Sequence, residues 1–394
     1  MSKIFTDDPL ITRLPARLAT VSEVEFDPFA GPELLRLVPI TESQAEIWAA
    51  CLLGGDDASR AYNESVTLRL TGPLDRAALR CALGMLGQRH EALRSAFSAD
   101  GKYSCVFKEL PVELDFQGIT ALGAAAQQAA VAACVAHDAQ YIFDLLHGPL
   151  LKATLFGLAA EEHHLVLTAH HIVCDGWSLG IMLQELGALY SACYQGIPPA
   201  LPSATPFGQY ADQQLLFGRS AAYQAVEQFW LAQFQGPVPV VALPTDFVRP
   251  ALRTYRSARA DYVLAPSLVA GLKKVGLGAG CSFVTTLLAA FEVLLAQLTG
   301  QNEVVVGLPA AGQSASGLPQ LVGHCVNLLP LRSQPYGDGD FIAYLRQRKT
   351  ALFDAYEHQQ LTFGSLLKKL RVPHQLRQPT GRLPGRGQPH HYFV

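Results

Sequence analysis

Residues 163–178, HHLVLTAHHIVCDGWS, hold the side chains of this sequence that are best suited to proton transfer. Two adjacent histidines, His170 and His171, are followed by Asp175. An unperturbed imidazole titrates near pH ~6.5, so it can take a proton from an attacking amine or alcohol, or hold that group by a hydrogen bond. No nearby serine or cysteine has the pattern of an activated nucleophile. The stretch therefore favours direct acyl transfer without a covalent enzyme intermediate.

The first part of this stretch, about residues 163–171, has the pattern of a β-strand. Successive side chains of a strand point to opposite faces, which places His171 on one face with Ala169 and His170 on the other. Two adjacent histidines at a strand end therefore cannot both face one pocket. At most one of them is a general base, and the other is structural.

A loop and a helix follow the strand. Ser178 is a good N-cap residue, and apolar residues at helical spacing continue to about residue 195. Asp175 can pin the loop by an ion pair or by backbone hydrogen bonds, while Gly176 permits a backbone angle or a close approach that other residues do not. The histidines are thus predicted at a strand–loop–helix corner.

Three other interpretations of these residues remain open. A metal site formed by both histidines and Asp175 would need ligands from opposite faces of a strand, and the earlier pair at 163 and 164 lies roughly 20 Å further back. Cys174 could be a nucleophile, but no activating pattern surrounds it, which favours a small packed thiol. Finally, both histidines of the pair can be satisfied strand-end residues without a catalytic role.

Composition sets aside several classes of protein. The 394 residues include 30 Lys and Arg against 33 Asp and Glu, a formal net charge of −3, whereas a nucleic-acid binder would need clustered positive charge. An apolar content of 49% argues against disorder. The eight cysteines lie at least 19 positions apart, which predicts reduced thiols in a cytoplasmic protein. No secretory start or unbroken apolar span is present, so we expect a soluble protein that does not enter a membrane.

The order of patterns predicts a mixed α/β fold in two lobes, with residues 1–36 as a leader and 37–195 as the first lobe. Proline-rich connectors frame a bridging helical segment at 196–256, and a second lobe follows at 257–370. Residues 371–394 are an Arg/Pro/Gly-rich tail that looks like an incomplete end of that lobe. Helices are predicted at about 41–52, 74–89, 119–138, 178–195, 220–235, 267–276, 282–298 and 339–356, and strands at about 64–70, 103–108, 150–157, 163–171, 257–264 and 302–308. Two comparable lobes favour a site between them.

The motif HHxxxDG, with Trp177 and Ser178 after it, resembles the core motif of the condensation domains of nonribosomal peptide synthetases. Related acyltransferases share that motif, so the other motifs and their order give the resemblance its specificity. Similar segments are TESQAEIW at 41–48, RHEALRSAF at 89–97, FDL at 143–145, GPL at 148–150, LPTD at 243–246, VGHCVN at 322–327 and HQQLTF at 358–363.

The sequence departs from the family pattern at several positions. Glu46 stands where arginine is usual, and Cys325 replaces an expected phenylalanine. YADQQ at 210–214 and RQPTGRLP at 377–384 match their family segments only in part. The resemblance still covers about residues 38–384.

The resemblance implies two chloramphenicol-acetyltransferase-like lobes in a V shape, with the active-site tunnel between them, and a second lobe truncated at the C-terminus. It implies that His171 is the catalytic histidine, supported by His170 and Gly176 of the same motif. Asp175 would be mainly structural, with Arg94 as a candidate partner. Asn327 would position the substrate or lie on the oxyanion side of the site, although it could instead cap a turn.

The activity implied is condensation. The amine of an aminoacyl thioester on an acceptor carrier protein attacks a donor acyl or peptidyl thioester on another carrier protein. The partners would be those two carrier proteins in neighbouring synthetase or polyketide synthase modules, without nucleic acid. No cofactor or metal would bind directly, because phosphopantetheine arms present the substrates. The alternatives are a stand-alone acyltransferase that uses a free alcohol or amine, and an inactive remnant that binds carrier proteins.

Overall fold

The chain forms helices and three sheets, which a computed structural model describes for residues 31–239, 241–247, 254–255, 257, 260–335 and 340–370. The described residues from Leu34 to Leu370 belong to one compact unit. The tail predicted at 371–394 and most of the leader predicted at 1–36 lie outside the described residues.

The described part of the chain alternates between helices and strands. The helices are α1 (Glu42–Arg60), α2 (Arg76–Arg89), α3 (Ala124–Asp138), α4 (Gly176–Gln195), α5 (Phe207–Phe217), α6 (Ala221–Gln233), α7 (Pro266–Gly278), α8 (Phe283–Thr299), α9 (Gly312–Ala315), α10 (Phe341–Glu357) and α11 (Phe363–Leu370). The strands are β1 (Leu34–Pro39), β2 (Asn63–Thr71), β3 (Ser95–Phe97), β4 (Tyr103–Phe107), β5 (Leu114–Gly118), β6 (Leu151–Ala159), β7 (Glu162–His170), β8 (Val304–Ala311) and β9 (Val326–Ser333). This order confirms the predicted α/β class.

Three local predictions differ from the structure. β1 begins at Leu34, inside the predicted leader, and its register is fixed by pairing with β4 rather than by any alternation of its own. The strand predicted at about 257–264 is wrong for its described part, since residues 260–264 form no strand. Helical structure in α1 extends to Arg60 instead of ending near residue 52, but Gly55 is not helical (φ 60°, ψ −148°), so α1 consists of two helical stretches joined by a kink.

A four-stranded sheet in the order β2-β7-β6-β5 positions the histidine pair. β7 is antiparallel to both of its neighbours, and Asn63 of β2 lies opposite His170. The two faces of β7 pack on different layers: Leu165 and Leu167 belong to the largest apolar core, whereas Val166 packs with Val131 of α3. The predicted period-two alternation therefore holds at these positions of β7.

Helices α2 and α4 pack on the first of these faces. Leu83 and Leu86 of α2 and Met182 of α4 are buried in the same core. Cys81 and Cys193 join the two helices by a disulfide. The prediction that all eight cysteines are reduced is therefore wrong for this pair, because two cysteines 112 positions apart in sequence meet only after the helices pack.

A second apolar core lies around the antiparallel pair β8-β9. It combines Trp230 of α6, Leu295 of α8 and Leu352 of α10 with residues of both strands. Within the described residues, these helices and strands enclose a buried ion pair: Arg348 donates two hydrogen bonds of 2.8 Å to Glu292, and the Tyr344 hydroxyl donates a third of 2.7 Å. Burial raises the pKa of Glu292, and the positive charge of Arg348 opposes that rise.

The start of α11 lies against the start of α1. Glu46 accepts a 3.1 Å hydrogen bond from the N–H of Gly364, and Glu42 accepts one of 2.9 Å from the Ser365 hydroxyl. Burial raises the pKa of Glu46, while its hydrogen bonds to Thr362 and Gly364 oppose that change. Glu46 thus accepts a main-chain hydrogen bond that the usual arginine, which has no acceptor, could not accept.

Among the described residues, no single helix has the length and apolar character of a membrane span. α7 and α8 reach those values only when they are taken together, and they are bent by 103° relative to each other.

We expect Arg348→Met to lower the free energy of unfolding by about 3–5 kcal/mol, because it leaves the buried Glu292 carboxylate without its counter-charge. Urea denaturation followed by circular dichroism measures the change. The double variant Glu292→Gln/Arg348→Met should recover most of the loss. The matched control, Arg69→Met, removes an exposed ion pair with Glu162 and should cost less than about 1 kcal/mol. An Arg348→Met loss as small as that of the control would contradict the role assigned to this pair.

Candidate active site

His170 ends β7 in a closed apolar environment. It is fully buried, and its ring lies between the rings of Tyr62 and Phe143. Its Nδ1 accepts a 3.3 Å hydrogen bond from the N–H of Ile172, which places the ring hydrogen on Nε2, 3.9 Å from the sulfur of Cys51. Burial and the neighbouring His171 lower the pKa of His170 to about 3. This imidazole is therefore neutral at physiological pH.

His171 lies one residue further along and is only half-buried. Its N–H donates a 2.7 Å hydrogen bond to the carbonyl of Tyr62, which continues the pairing of β2 and β7 by one residue. Its ring meets the ring of His324 edge-on, with the two Nδ1 atoms 3.2 Å apart. The two adjacent histidines thus lie in different environments, as the strand pattern predicts.

His324 is 6% exposed. Burial, together with the charges that His171 and His170 would carry, lowers the pKa of His324 to about 3. A neutral imidazole carries hydrogen on only one of its two nitrogens. The contact between the two Nδ1 atoms is therefore a hydrogen bond in which one histidine donates and the other accepts.

Glu64 of β2 contributes a carboxylate to the same region. Its Oε2 is buried and makes no hydrogen bond. Burial raises the pKa of Glu64; His171 opposes that rise and Asp175 adds to it. Gly176 begins α4 without a left-handed φ, and a side chain there would lie 3.7 Å from Oε1 of Glu64. Because 3.7 Å is an ordinary contact distance, neither the backbone angle nor the close approach expected at this position requires glycine.

Asp175 is fully buried, and its carboxylate is surrounded by donors. Oδ1 accepts from the N–H of Ser178 at 2.8 Å and lies 2.7 Å from its hydroxyl. The amide of Gln313 donates to both oxygens, at 3.0 and 2.9 Å, and the N–H of Cys325 donates to Oδ2 at 3.0 Å. Of the two ways predicted to pin the loop, the structure uses hydrogen bonds. They extend to segments far along the chain as well as to the loop itself.

Ser178 and Trp177 add two further ties between α4 and the segment at 319–325. The Ser178 hydroxyl accepts a 3.0 Å hydrogen bond from the N–H of Gly323, and Trp177 Nε1 donates one of 2.9 Å to the carbonyl of Pro319. Gly323 has a φ of 153°, and a side chain there would overlap the ring of Phe207. Only glycine fits this close approach.

Two residues expected at the site make their hydrogen bonds to other segments, although Asn327 also lines the cavity described below. The guanidinium of Arg94 donates to the main-chain carbonyls of Gln88 and Phe107, so the pairing expected with Asp175 is wrong. Asn327 donates to the carbonyls of Gln359 and Leu361, at 2.7 and 2.6 Å. Its Oδ1 accepts from the N–H groups of residues 328 and 363. Of the two interpretations of Asn327, these contacts match the capped turn.

Sequence reasoning missed three neighbours of the motif: Glu64, Gln313 and His324. Of these, His324 carried a usable signal, because it is an ionisable side chain inside the otherwise uncharged segment VGHCVN. Glu64 and Gln313 carried none, since their place at the site depends on strand register and long-range packing.

A cavity of 230 Å³ lies beside this network. Its walls come from the start of α1, from α5, from the start of β9 and from residues 359–362, and they include Tyr210 and Cys325. In the part of the chain that the structure describes, no three His, Cys, Asp or Glu side chains are grouped so that they could hold a metal ion.

A family model described as a condensation domain matches residues 35–380. The chain belongs to the condensation domain family. The family resemblance predicted from the motifs is therefore confirmed.

This condensation domain is 36% identical to a linear gramicidin synthase protein of Brevibacillus parabrevis over 376 residues, 93% of this chain and 7% of that protein. It is 32% identical to a plipastatin synthase protein of Bacillus subtilis (strain 168) over 367 residues, 92% of this chain and 10% of that protein. The chain thus spans about a tenth or less of these two relatives. The condensation domain of the monacolin K polyketide synthase MokA has the same fold, with a TM-score of 0.74 at 23% identity, over 86% of this chain and 77% of that one.

We expect Asp175→Asn to lower the free energy of unfolding of the condensation domain by about 2–4 kcal/mol, because an amide group would turn its own hydrogens toward donors that now meet a carboxylate. Thermal and urea denaturation measure the loss. Asp340→Asn is the matched control: Asp340 caps α10 by one exposed hydrogen bond, and asparagine caps equally well. The losses in free energy of unfolding caused by Arg94→Met and by Asp175→Asn should add in the double variant. A large coupling free energy between the two substitutions would instead support a direct pairing of Arg94 with Asp175.

Acid should destabilise this condensation domain through its buried histidines. The pKa of His170 falls from its usual 6.5 to about 3 on folding, so between these values the unfolded state binds the extra proton. This contribution to stability is complete above pH 6.5 and declines as the pH falls toward 3. Between pH 7.5 and 5.5 we expect His170 to contribute a loss of about 1 kcal/mol to the free energy of unfolding. Denaturant titrations at both pH values measure it, and His170→Gln should show a correspondingly smaller pH dependence. An equal pH dependence in the variant would refute the assignment.

Proposed function

We propose that this chain forms an amide bond by condensing two substrates held as thioesters on carrier proteins. The amine of the acceptor aminoacyl thioester attacks the carbonyl carbon of the donor acyl or peptidyl thioester. The new C–N bond forms, the donor C–S bond breaks, and the sulfur leaves with a proton as the free thiol of the donor phosphopantetheine arm. Membership of the condensation domain family supports this reaction, and the curated relatives are parts of peptide synthases.

The observation that carries the proposal is the difference between the two histidines. His171 is half-buried, whereas His170 is closed off and held neutral. We assign His171 to the amine, which it would orient or deprotonate as the C–N bond forms. His170 would support the strand end and keep the neighbouring ring in place.

The other members of the motif would act indirectly. The hydrogen bonds of Asp175 reach Gln313 and Cys325, so it would hold together the segments on which His171 and His324 lie. We also propose that the site lies between two lobes, residues 37–195 and 257–370. The hydrogen bonds of His171 with His324 and of Asp175 with Gln313 join these two ranges, which supports a site at their junction.

The partners we propose are a donor and an acceptor carrier protein from neighbouring synthetase or polyketide synthase modules. Their phosphopantetheine arms would deliver both thioesters, so the chain itself would need no bound cofactor. Intact-protein mass spectrometry tests this directly. A carrier protein loaded with an acyl group and a second loaded with an aminoacyl group are mixed with the chain, and the acyl mass should move from the first to the second. Transfer to a soluble amine without an acceptor carrier would instead favour a stand-alone acyltransferase.

We expect His171→Ala to abolish this transfer, with a rate loss of about 100-fold or more, and to leave the melting temperature close to that of the parent protein. His170→Ala should chiefly lower the melting temperature, because it empties a closed apolar site. Rates from the mass-spectrometric assay and thermal melts of both variants test the pair together. His137→Ala, at an exposed position, is the control. Full activity in His171→Ala would refute the assignment.

A further inference from the structure

We propose that His324 is a positioning residue for His171. In this proposal the Nδ1–H of His171 donates to Nδ1 of His324, which leaves the lone pair on Nε2 of His171 to meet the substrate amine. The inference rests on the proposed function for the direction of this hydrogen bond, and on the structure for the contact itself.

The contact permits only two arrangements. The two Nδ1 atoms lie 3.2 Å apart, so one hydrogen lies between them. If His324 donated it, His171 would accept at Nδ1 and carry its own hydrogen on Nε2. That tautomer has no free lone pair and cannot take a proton from an amine. If His171 donates, its Nε2 is free, and this is the arrangement that a general base requires.

The surroundings keep His324 able to accept. It is 6% exposed, and a buried imidazole in such a place stays neutral, with one nitrogen lone pair available. The ionisable groups nearest the pair are His170 of β7, Glu64 of β2 and Asp175 before α4. The carboxylate of Asp175 is occupied by other donors, and none of its hydrogen bonds goes to either ring of the pair.

His324 is held by both of its neighbours in sequence. The N–H of Gly323 donates to Ser178 at 3.0 Å, and the N–H of Cys325 donates to Asp175 at 3.0 Å. The residue between these anchors has little freedom to move. Asp175 and Ser178 are therefore linked to His171 in two ways. One is the short stretch of chain between them, and the other is the set of hydrogen bonds that hold the ring of His324 against His171.

Histidine tautomers can be read directly by nitrogen NMR. The chain is labelled with ¹⁵N-histidine, and long-range ¹H–¹⁵N spectra are recorded at alkaline pH, where imidazoles are neutral. The His171 signals are assigned by their loss in His171→Ala. The expected result is hydrogen on Nδ1 and a free Nε2 for His171. This preference should weaken in His324→Phe, which keeps a ring but has no acceptor. Hydrogen fixed on Nε2 of His171 in the parent protein would overturn the proposal.

Kinetics separate positioning from simple packing. His324→Asn places a carbonyl oxygen close to the position of the lost Nδ1, so it should retain most of the activity. His324→Phe should lower kcat by about tenfold or more, with little change in the KM for either carrier protein. Thermal melts check that both variants fold, and His137→Phe is the matched control at an exposed histidine. Equal kcat in His324→Phe and the parent protein would overturn the positioning role.

The two experiments distinguish the inference from the proposed function. If no variant and no parent protein transfers an acyl group, the function fails, while the NMR spectra still decide the direction of the hydrogen bond. If the parent protein is active but His171 shows hydrogen on Nε2, the function stands and the inference fails.

Discussion

A buried carboxylate is tolerated only when donors satisfy it, and the site depends on how Asp175 meets that condition. Its donors come from the first turn of α4 and from residues 138 and 150 positions further along the chain. Satisfying one charge thus fixes the relative position of three segments. The hydrogen bonds of Asp175 hold in place the segments that carry the two histidine rings, although none of them goes to either ring.

The two histidines of the pair differ in how far their side chains are closed off from solvent. Strand geometry alone points them apart, and the apolar core then closes around His170. His171 continues the strand pairing by one hydrogen bond, yet its side chain stays half-buried because the chain turns into the loop there. One residue of displacement along a strand end is enough to give two identical side chains different chemistry.

Sequence was a good guide to local features and a poor one to contacts between distant segments. The alternation along β7, the corner before α4 and the order of most helices follow from periodicity and capping, so they were predictable. The contact of Arg94 with the carbonyls of Gln88 and Phe107, and that of His324 with His171, depend on which surfaces pack together. The disulfide of Cys81 with Cys193 belongs to the same class. No spacing in a single sequence encodes such contacts.

The hydrogen bonds between the starts of α11 and α1 have a consequence for folding during synthesis. Glu42 and Glu46 receive hydrogen bonds from residues 323 and 318 positions later, so during synthesis α1 leaves the ribosome long before its partners exist. Until then Glu46 has to stay in water, because burying its carboxylate without those donors is costly. The first turn of α1 therefore reaches its native environment only after residues 364 and 365 have been synthesised and have packed against it.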